Sequence, residues 1–567
     1  MRLITHRLGK QSLKGQAKGF LSLSSISSNS SNSSNSSNSS KYLYQMSNTN
    51  ITVGLFNEVS STSVFNVAGA GSLALAKKCA VILDSKDLIA NVELTSPFCS
   101  ALQLKSQSDL NLIKKVASSL CPTTDAASSV EVNLIDESGL LRHFVISVLS
   151  TAASRHNAPS RCHSIGPIIS RLAIGASDAT ILIVPSSAEH IYAQTCAVGR
   201  CFPPFSMKTG TRSSSINTIR VIVSDLATTI DPAVCRPICV EAENSIKYIR
   251  LTQRLVDMPP NMLHTDAYIE ECQVLAQELN CDIKVIQGKD LEVAGFGGLW
   301  GVGKAAEHLP ALVVLSHIPV GCTGGDKTVC LVGKGIVYDT GGLSIKVPPN
   351  MFGMKMDMGG SAGLLGAFAT AVSSKTACAP LHLLLCLAEN AVGPLATRPD
   401  DIHTMLSGKT VEVNNTDAEG RLVLGDGVHY AYRYLNPKVI IDMATLTGAQ
   451  LIATGKTLSA VYCNDDDLEA EVVGAGRYSG DLAHPQPYVP EIFRNEFKSK
   501  VADMKNSVAD RGNAQSSCAG QFIGNHLEAF LEQGGKWAHI DMAGPVMKDG
   551  LATGYGVALV HTLIKKL

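Results

Sequence analysis

The chain has 567 residues, 45% of them hydrophobic and 17% charged, with a formal net charge of −1. That length holds two substantial domains and a tail, and the near-zero charge gives no general attraction to nucleic acid or anionic membrane. No apolar run approaches the roughly 18 residues of a membrane span, so no membrane partner is expected.

The amino end stands apart. Six Lys or Arg and no acid precede Glu58, and Ser22 to Ser40 is a Ser/Asn repeat. Low complexity without apolar residues cannot build a core, so residues 1–50 are expected to form a disordered tail. Its basic start, with Arg2, Arg7, Lys10 and Lys14, loosely fits a mitochondrial presequence, whereas Met46 offers a second start for a cytosolic form. A cytoplasmic location is expected, with the mitochondrion as the alternative. The 16 cysteines are scattered without a CxxC pair and read as reduced, buried thiols of an intracellular protein.

Residues 51–235 are expected to form an α/β domain of their own. Strand candidates are AVIL at 80–83, FVISVL at 144–149, TILIVP at 180–185 and RVIVSDL at 220–226. Segments 110–120 and 160–174 can be helical between them. Gly69 to Ala74 (GAGSLA) mimics a dinucleotide fingerprint, but no strand precedes it at the right distance, so a nucleotide site there is not expected. A long helical pattern from Asp231 to Val256 leads out of this half, with a boundary expected near 235–245, and DMPPN at 257–261 breaks it.

Residues 236–567 then read as a larger domain. Thr265 is expected to cap a helix beginning at Asp266. Apolar runs at 311–315, 329–332, 381–387, 438–443 and 537–542 predict strands of one mostly parallel sheet, with helices near 360–375, 421–435 and 518–532. The fold class is α/β: an N-terminal α/β domain and a doubly wound C-terminal domain whose strands end at one crowded edge.

Two stretches crowd that edge with charge. In VCLVGKGIVYDTGGLSIKVPPNMFGMKMD, the run Val329 to Val332 reads as a buried strand with Lys334 straight after its end; Asp339, Lys346 and Asp357 follow among glycines. In NNTDAEGRLVL, Asp417, Glu419 and Arg421 stand at i, i+2 and i+4, which gathers them on one side of an extended segment. Gly420 would let the chain turn sharply into a helix. Four carboxylates in one pocket repel one another, and divalent cations remove that cost. Oxygen-rich ligation without Cys or HExxH suits Zn²⁺, Mn²⁺ or Mg²⁺, and the sequence does not choose among them.

These stretches resemble the metal-binding and signature segments of the leucine (cytosol) aminopeptidase family of two-metal exopeptidases. The likeness is specific from about Val329 to Gly448. VADMKNSVADRGNAQSSCAG at 501–520 is similar to a divergent branch known as probable aminopeptidase-like proteins. The resemblance implies an aminopeptidase acting on peptides with a free N-terminus through a water activated by two metal ions. It implies that Asp339 and Glu419 bridge the ions, Asp357 and Lys334 complete one site, and Asp417 binds the other. A lysine ligand must be neutral, so Lys334 has to lose its proton. By the same resemblance, Lys346 stabilises the oxyanion, and Arg421 holds a bicarbonate that shuttles a proton from the nucleophilic water. The resemblance also implies that Met354, Asn415, Thr445, Leu446 and Gly448 line the pocket for the first side chain. A homohexamer is implied on the same basis.

Two departures touch no ligand. Gly425-Asp426-Gly427 stands where common members have an Ala-Asp-Ala run, so this helix needs tertiary support. Asp400 stands where the family usually has glycine. His539 is expected to be structural. The rival reading is a catalytically weak member kept as a scaffold or binding protein. Loss of a ligand would favour it, and all seven implied metal and catalytic residues are present.

Overall fold

A computed structural model describes residues 49–55, 76–135, 139–174, 178–209, 217–224 and 230–567. The expectations for the amino-terminal tail through residue 48, and for GAGSLA at 69–74, lie outside these residues.

Six strands form the first sheet: β1 (Thr49–Leu55), β2 (Lys78–Leu83), β3 (Ser128–Ile135), β4 (Leu141–Val148), β5 (Ala179–Val184) and β6 (Asn217–Val223). Their order is β1-β6-β5-β2-β4-β3, and every pairing is parallel except that of the edge strand β3 with β4. Parallel strands need covered faces, and both faces are covered. Ala80 and Ile82 of β2 point into a core with helices α2 (Ile165–Arg171) and α3 (Ala188–Arg200). Cys79, Val81 and Leu83 point into a second core, under α1 (Gln107–Ser119).

The second sheet has eight strands. They are β7 (Asp282–Gln287), β8 (Ala311–His317), β9 (Thr328–Asp339), β10 (Leu381–Asn390), β13 (Pro437–Ala444), β14 (Ser459–Cys463), β15 (Ala483–Pro485) and β17 (Lys536–Asp541). Their order is β15-β14-β17-β13-β9-β10-β8-β7, with β17, β13, β9 and β10 mutually parallel at the centre. Small strands β11 (Ile402–Thr404), β12 (Thr410–Glu412) and β16 (Met504–Lys505) form a separate three-stranded sheet. Along β9, Val329 and Leu331 feed one core while Cys330 and Val332 feed the other. That two-sided burial is why the central strands read as unbroken apolar runs.

One face carries α4 (Pro232–Asp257), α5 (Thr265–Leu279), α7 (Gly359–Ser374) and α11 (Val557–Ile564). The other carries α6 (Gly297–Gly303), α8 (Gly420–Tyr434) and α10 (Gln515–Gly524). A further helix, α9 (Asp466–Ser479), packs against α3, α11 and β14. This is the doubly wound arrangement expected. Helix α4 is unbroken through 235–245. Its Cys235, Cys239 and Ile246 belong to a core of the first sheet, and its Tyr248, Ile249, Leu255 and Val256 to a core of the second.

Three local expectations need correction. The cap of α5 is His264, whose Nδ1 accepts the Ala267 N–H at 3.3 Å; Thr265 is the first helical residue. The stretch near 518–532 is two helices, α10 and a short Glu528–Glu532 turn, not one. Strand β9 does not end at Gly333 but runs on to Asp339. A Cβ on Gly333 would lie 2.5 Å from the Ser361 backbone, so glycine there admits helix α7 against the strand rather than stopping it.

Candidate metal centre

Because β9 continues, Lys334 stands inside the sheet, between β10 and β13, and Asp339 is the residue at its carboxyl end. The chain then doubles back. Gly341 and Gly342 take φ of +85° and +61°, and Lys346 N–H closes the loop on the Thr340 carbonyl at 2.9 Å. A side chain at Gly341 would be strained in φ and would also meet Asp417 Oδ1 at 3.0 Å. The reversal sets Lys346 Nζ 2.8 Å from Asp339 Oδ2 and 2.5 Å from Asp417 Oδ1. Asp357 follows a short 3-10 turn, Met354–Met356, just before α7. Its Oδ1 accepts Lys334 Nζ at 2.8 Å and the Thr445 hydroxyl at 2.9 Å.

The segment 414–424 is not extended. Asp417 lies in a turn, Glu419 is the N-cap of α8, and Arg421 lies in its first turn. Gly420 keeps a negative φ, so it is not there for a sharp bend. A Cβ on it would fall 2.6 Å from Lys334 Cε and 2.8 Å from Lys334 Nζ; glycine leaves room for that lysine. Lys334 Nζ is then 3.0 Å from Glu419 Oε1 and donates to the Thr445 carbonyl at 2.9 Å.

Four carboxylates from three segments therefore meet two lysines. Carboxylate oxygens of Asp339, Asp417 and Glu419 lie within 4.8 Å of one another. Asp357 Oδ2 and Glu419 Oε2 are buried with no hydrogen-bond partner. Burial and the neighbouring Asp339 charge push the Glu419 carboxyl up to about 8, and burial pushes Asp357 up to about 6 against the pull of Lys334. Asp417 is raised for the same reasons as Glu419. Burial alone would lower both lysines, but the surrounding carboxylates carry them above the usual range. Crowded, buried acids with orphaned oxygens have the donor set of a hard or borderline divalent cation.

The remaining predicted residues surround this cluster. Met354 is half-buried, and its carbonyl accepts the Asp357 N–H at 3.2 Å. Asn415 Oδ1 accepts the Asp417 N–H at 3.0 Å. Leu446 is half-buried one residue beyond Thr445, and Gly448 is exposed at the start of the short helix Gly448–Ala453. Arg421 is buried; its Nη1 donates to the Asn506 carbonyl at 3.0 Å, its Nε has no partner, and burial lowers it to about 10.

Four positioning residues escaped the sequence reading. Asn390 Nδ2 donates to Asp339 Oδ1 at 2.8 Å. Thr416 Oγ1 donates to the Gly341 carbonyl at 2.6 Å, tying the two loops together. Asp541 accepts the Leu446 N–H at 3.1 Å and the Thr447 hydroxyl at 2.7 Å. The wholly buried Asn506 donates to the carbonyls of Asn415 and Ala418 and accepts the Asn414 N–H. Its one signal was membership of the 501–520 stretch, which carries the branch resemblance.

Residues 250–561 match the cytosol aminopeptidase family, catalytic domain, and residues 100–211 match the M17 aminopeptidase N-terminal domain 2. The chain belongs to the cytosol aminopeptidase family. Probable aminopeptidase NPEPL1 of Homo sapiens is 47% identical over 440 residues, 77% of this chain and 83% of that protein. Leucine aminopeptidase 1 of Caenorhabditis elegans is 42% identical over 433 residues, 75% and 84% of the two. The solved leucine aminopeptidase LAP1 of C. elegans superposes with a TM-score of 0.77 at 36% identity, covering 91% of this chain and 98% of that one. Leucyl aminopeptidase of Leishmania major, solved with actinonin, gives 0.80 at 33%, covering 93% and 96%. As a cytosol aminopeptidase, this protein is a metal-dependent hydrolase that removes amino-terminal residues from peptides. Among the described residues, no helix is long and apolar enough to cross a membrane.

Proposed function

We propose that two divalent ions, Zn²⁺ or Mn²⁺ with Mg²⁺ as the further option, are held by Lys334, Asp339, Asp357, Asp417 and Glu419. Asp339 and Glu419 would be shared between them. The observation that carries this reading is the convergence of four carboxylates with buried, unpartnered oxygens on Asp357 and Glu419. Bound, the ions supply Lewis acidity and lower the pKa of water. The protein's own groups do the rest. Lys346, on a loop closed by backbone hydrogen bonds, holds a fixed positive charge for the oxyanion of the scissile carbonyl. Arg421 offers an unpartnered Nε to a small anion, bicarbonate by family resemblance, positioned to relay a proton. Met354, Asn415, Thr445, Leu446 and Gly448 line the pocket for the first side chain of a peptide. We assign residues 51–235 and 236–567 to the two domains, with α4 shared. Sixteen cysteines with no disulfide among the described residues favour a reducing compartment, hence the cytoplasm, and the family resemblance favours a hexamer.

The test separates metal binding from chemistry. Asp339→Ala and Glu419→Ala should lose metal and activity together. Lys346→Ala should keep its metal and lose on the order of 10²–10³ in turnover on aminoacyl-amide substrates, with a far smaller change in KM. Lys334→Ala should weaken one site and recover partly with excess metal. Metal content and rates measured across a metal titration decide between them. Metal loss in Lys346→Ala with full retention in Lys334→Ala would reverse the two roles.

A further inference from the structure

In the first sheet the chain leaves β2 towards β3 and β4, then crosses from β4 to β5 on the other side of β2. Loops after neighbouring parallel strands thus diverge, and open α/β sheets bind small molecules in the crevice this leaves. A cavity of about 450 Å³ lies there, lined by Asp84 after β2, Thr151 to Arg161 after β4 and Ser186 after β5. Its far wall is Arg477 of α9, which belongs to the other sheet. The walls are held against each other. Gly480, at φ +83°, leaves room for Cys162 Sγ, and Arg200 Nη2 pairs with Asp481 at 2.8 Å.

The floor is already saturated. Asp84 accepts Ser186 N–H and hydroxyl, His190 Nδ1 and Gln194 Nε2 within 2.9 Å, and pairs with Arg161 Nη2 at 3.2 Å. Arg161 gives its other nitrogens to the carbonyls of Ser150, Asp84 and Pro159. The rim is not saturated. Arg155 and Arg477 are exposed, and neither guanidinium has a partner among the described residues. Two open forks facing one polar cavity match the charge and geometry of a phosphate dianion. The volume lies within the roughly 300–1,000 Å³ of small-molecule sites and exceeds what a bare phosphate fills.

We propose that this crevice, which shares no residue with the carboxylate cluster and bridges the two sheets, binds a phosphomonoester of mononucleotide size through Arg155 and Arg477. Thr151, Ser154 and Asn157 offer hydrogen bonds to its organic part.

Calorimetric titration of the full-length enzyme with AMP, adenosine and inorganic phosphate tests this, in the wild type and in Arg155→Ala/Arg477→Ala. Both side chains are exposed and outside the peptidase machinery, so the double variant should keep wild-type turnover. The expected result is AMP binding that weakens roughly tenfold or more in the double variant, with adenosine much weaker than AMP. No AMP binding to the wild type would overturn the proposal. So would equal affinity in both proteins, which would place the phosphate away from the two arginines, or adenosine binding as tightly as AMP.

Discussion

Lys334 is a long cation threaded through a sheet, and its position depends on an atom that is missing. Three acceptors, on Asp357, Glu419 and Thr445, hold its Nζ within 3.0 Å. The room for it comes from Gly420, on a different element. Gly420→Ala should therefore act as an active-site substitution although it changes no charged group. Displacing the amine by about 1 Å should lower turnover on the order of 10²-fold. The overpacking itself should cost about 1–3 kcal/mol. Steady-state rates beside a urea melt would check this; an unchanged rate would mean that the lysine has space to move. Asp426 shows the same reliance on neighbours. Its two oxygens accept the Leu299 and Leu406 N–H groups at 2.8 Å each, which anchors α8 to helix α6 and to the turn after β11. Gly427 beside it lets α8 approach Cys386 and Val332. These contacts supply the support that two helix glycines require. Asp400, at φ +77°, explains why glycine is common at that position.

At the scale of elements, the end of β2 is the place where charge holds structure together. Burial alone would raise the Asp84 carboxyl, but hydrogen bonds from His190 and Ser186 and the charge of Arg161 hold it below the usual range. A depressed carboxylate contributes stability above its unfolded pKa of about 3.9, and that contribution is lost as pH falls through the native value. Asp84→Asn should cost about 3 kcal/mol at pH 7, because Arg161 stays buried without its counter-charge. The gap from wild type should shrink below about pH 3.9, and urea melts at pH 7 and pH 3 would measure it. Central strands such as β9, β10 and β13 were legible because burial on both faces writes them as continuous apolar runs. Edge strands β3 and β7 were not. Glu131, Asp282 and Lys284 dilute their hydrophobic signal. The carboxylates of the site were legible as odd residues among glycines. The bend that unites them was not, since Asn506 acts through backbone groups 91 residues away and any loop asparagine looks alike.

For the molecule as a whole, the two sheets share more than a seam. Tyr192 of α3 hydrogen-bonds Ser245 on α4 at 2.7 Å and His561 on α11 at 2.9 Å, linking the halves through buried polar groups. Arg254 near the end of α4 makes a bidentate, buried pair with Glu271 of α5 at 2.6 Å. Helix α4 serves both cores in alternation, with Cys239 and Ile246 in one and Ala242 and Tyr248 in the other.

A rod embedded in both halves ties their melting together. Neither core can lose its packing while the other keeps α4 straight, so heat should take the chain apart in one step. Scanning calorimetry should show a single endotherm whose calorimetric and van't Hoff enthalpies agree for the unit that melts. Replacing Lys247, between Ile246 of one core and Tyr248 of the other, with proline would break the rod and should divide that endotherm into two. A wild-type trace already split in two would mean that the halves answer to heat separately, and that the helix belongs to only one of them.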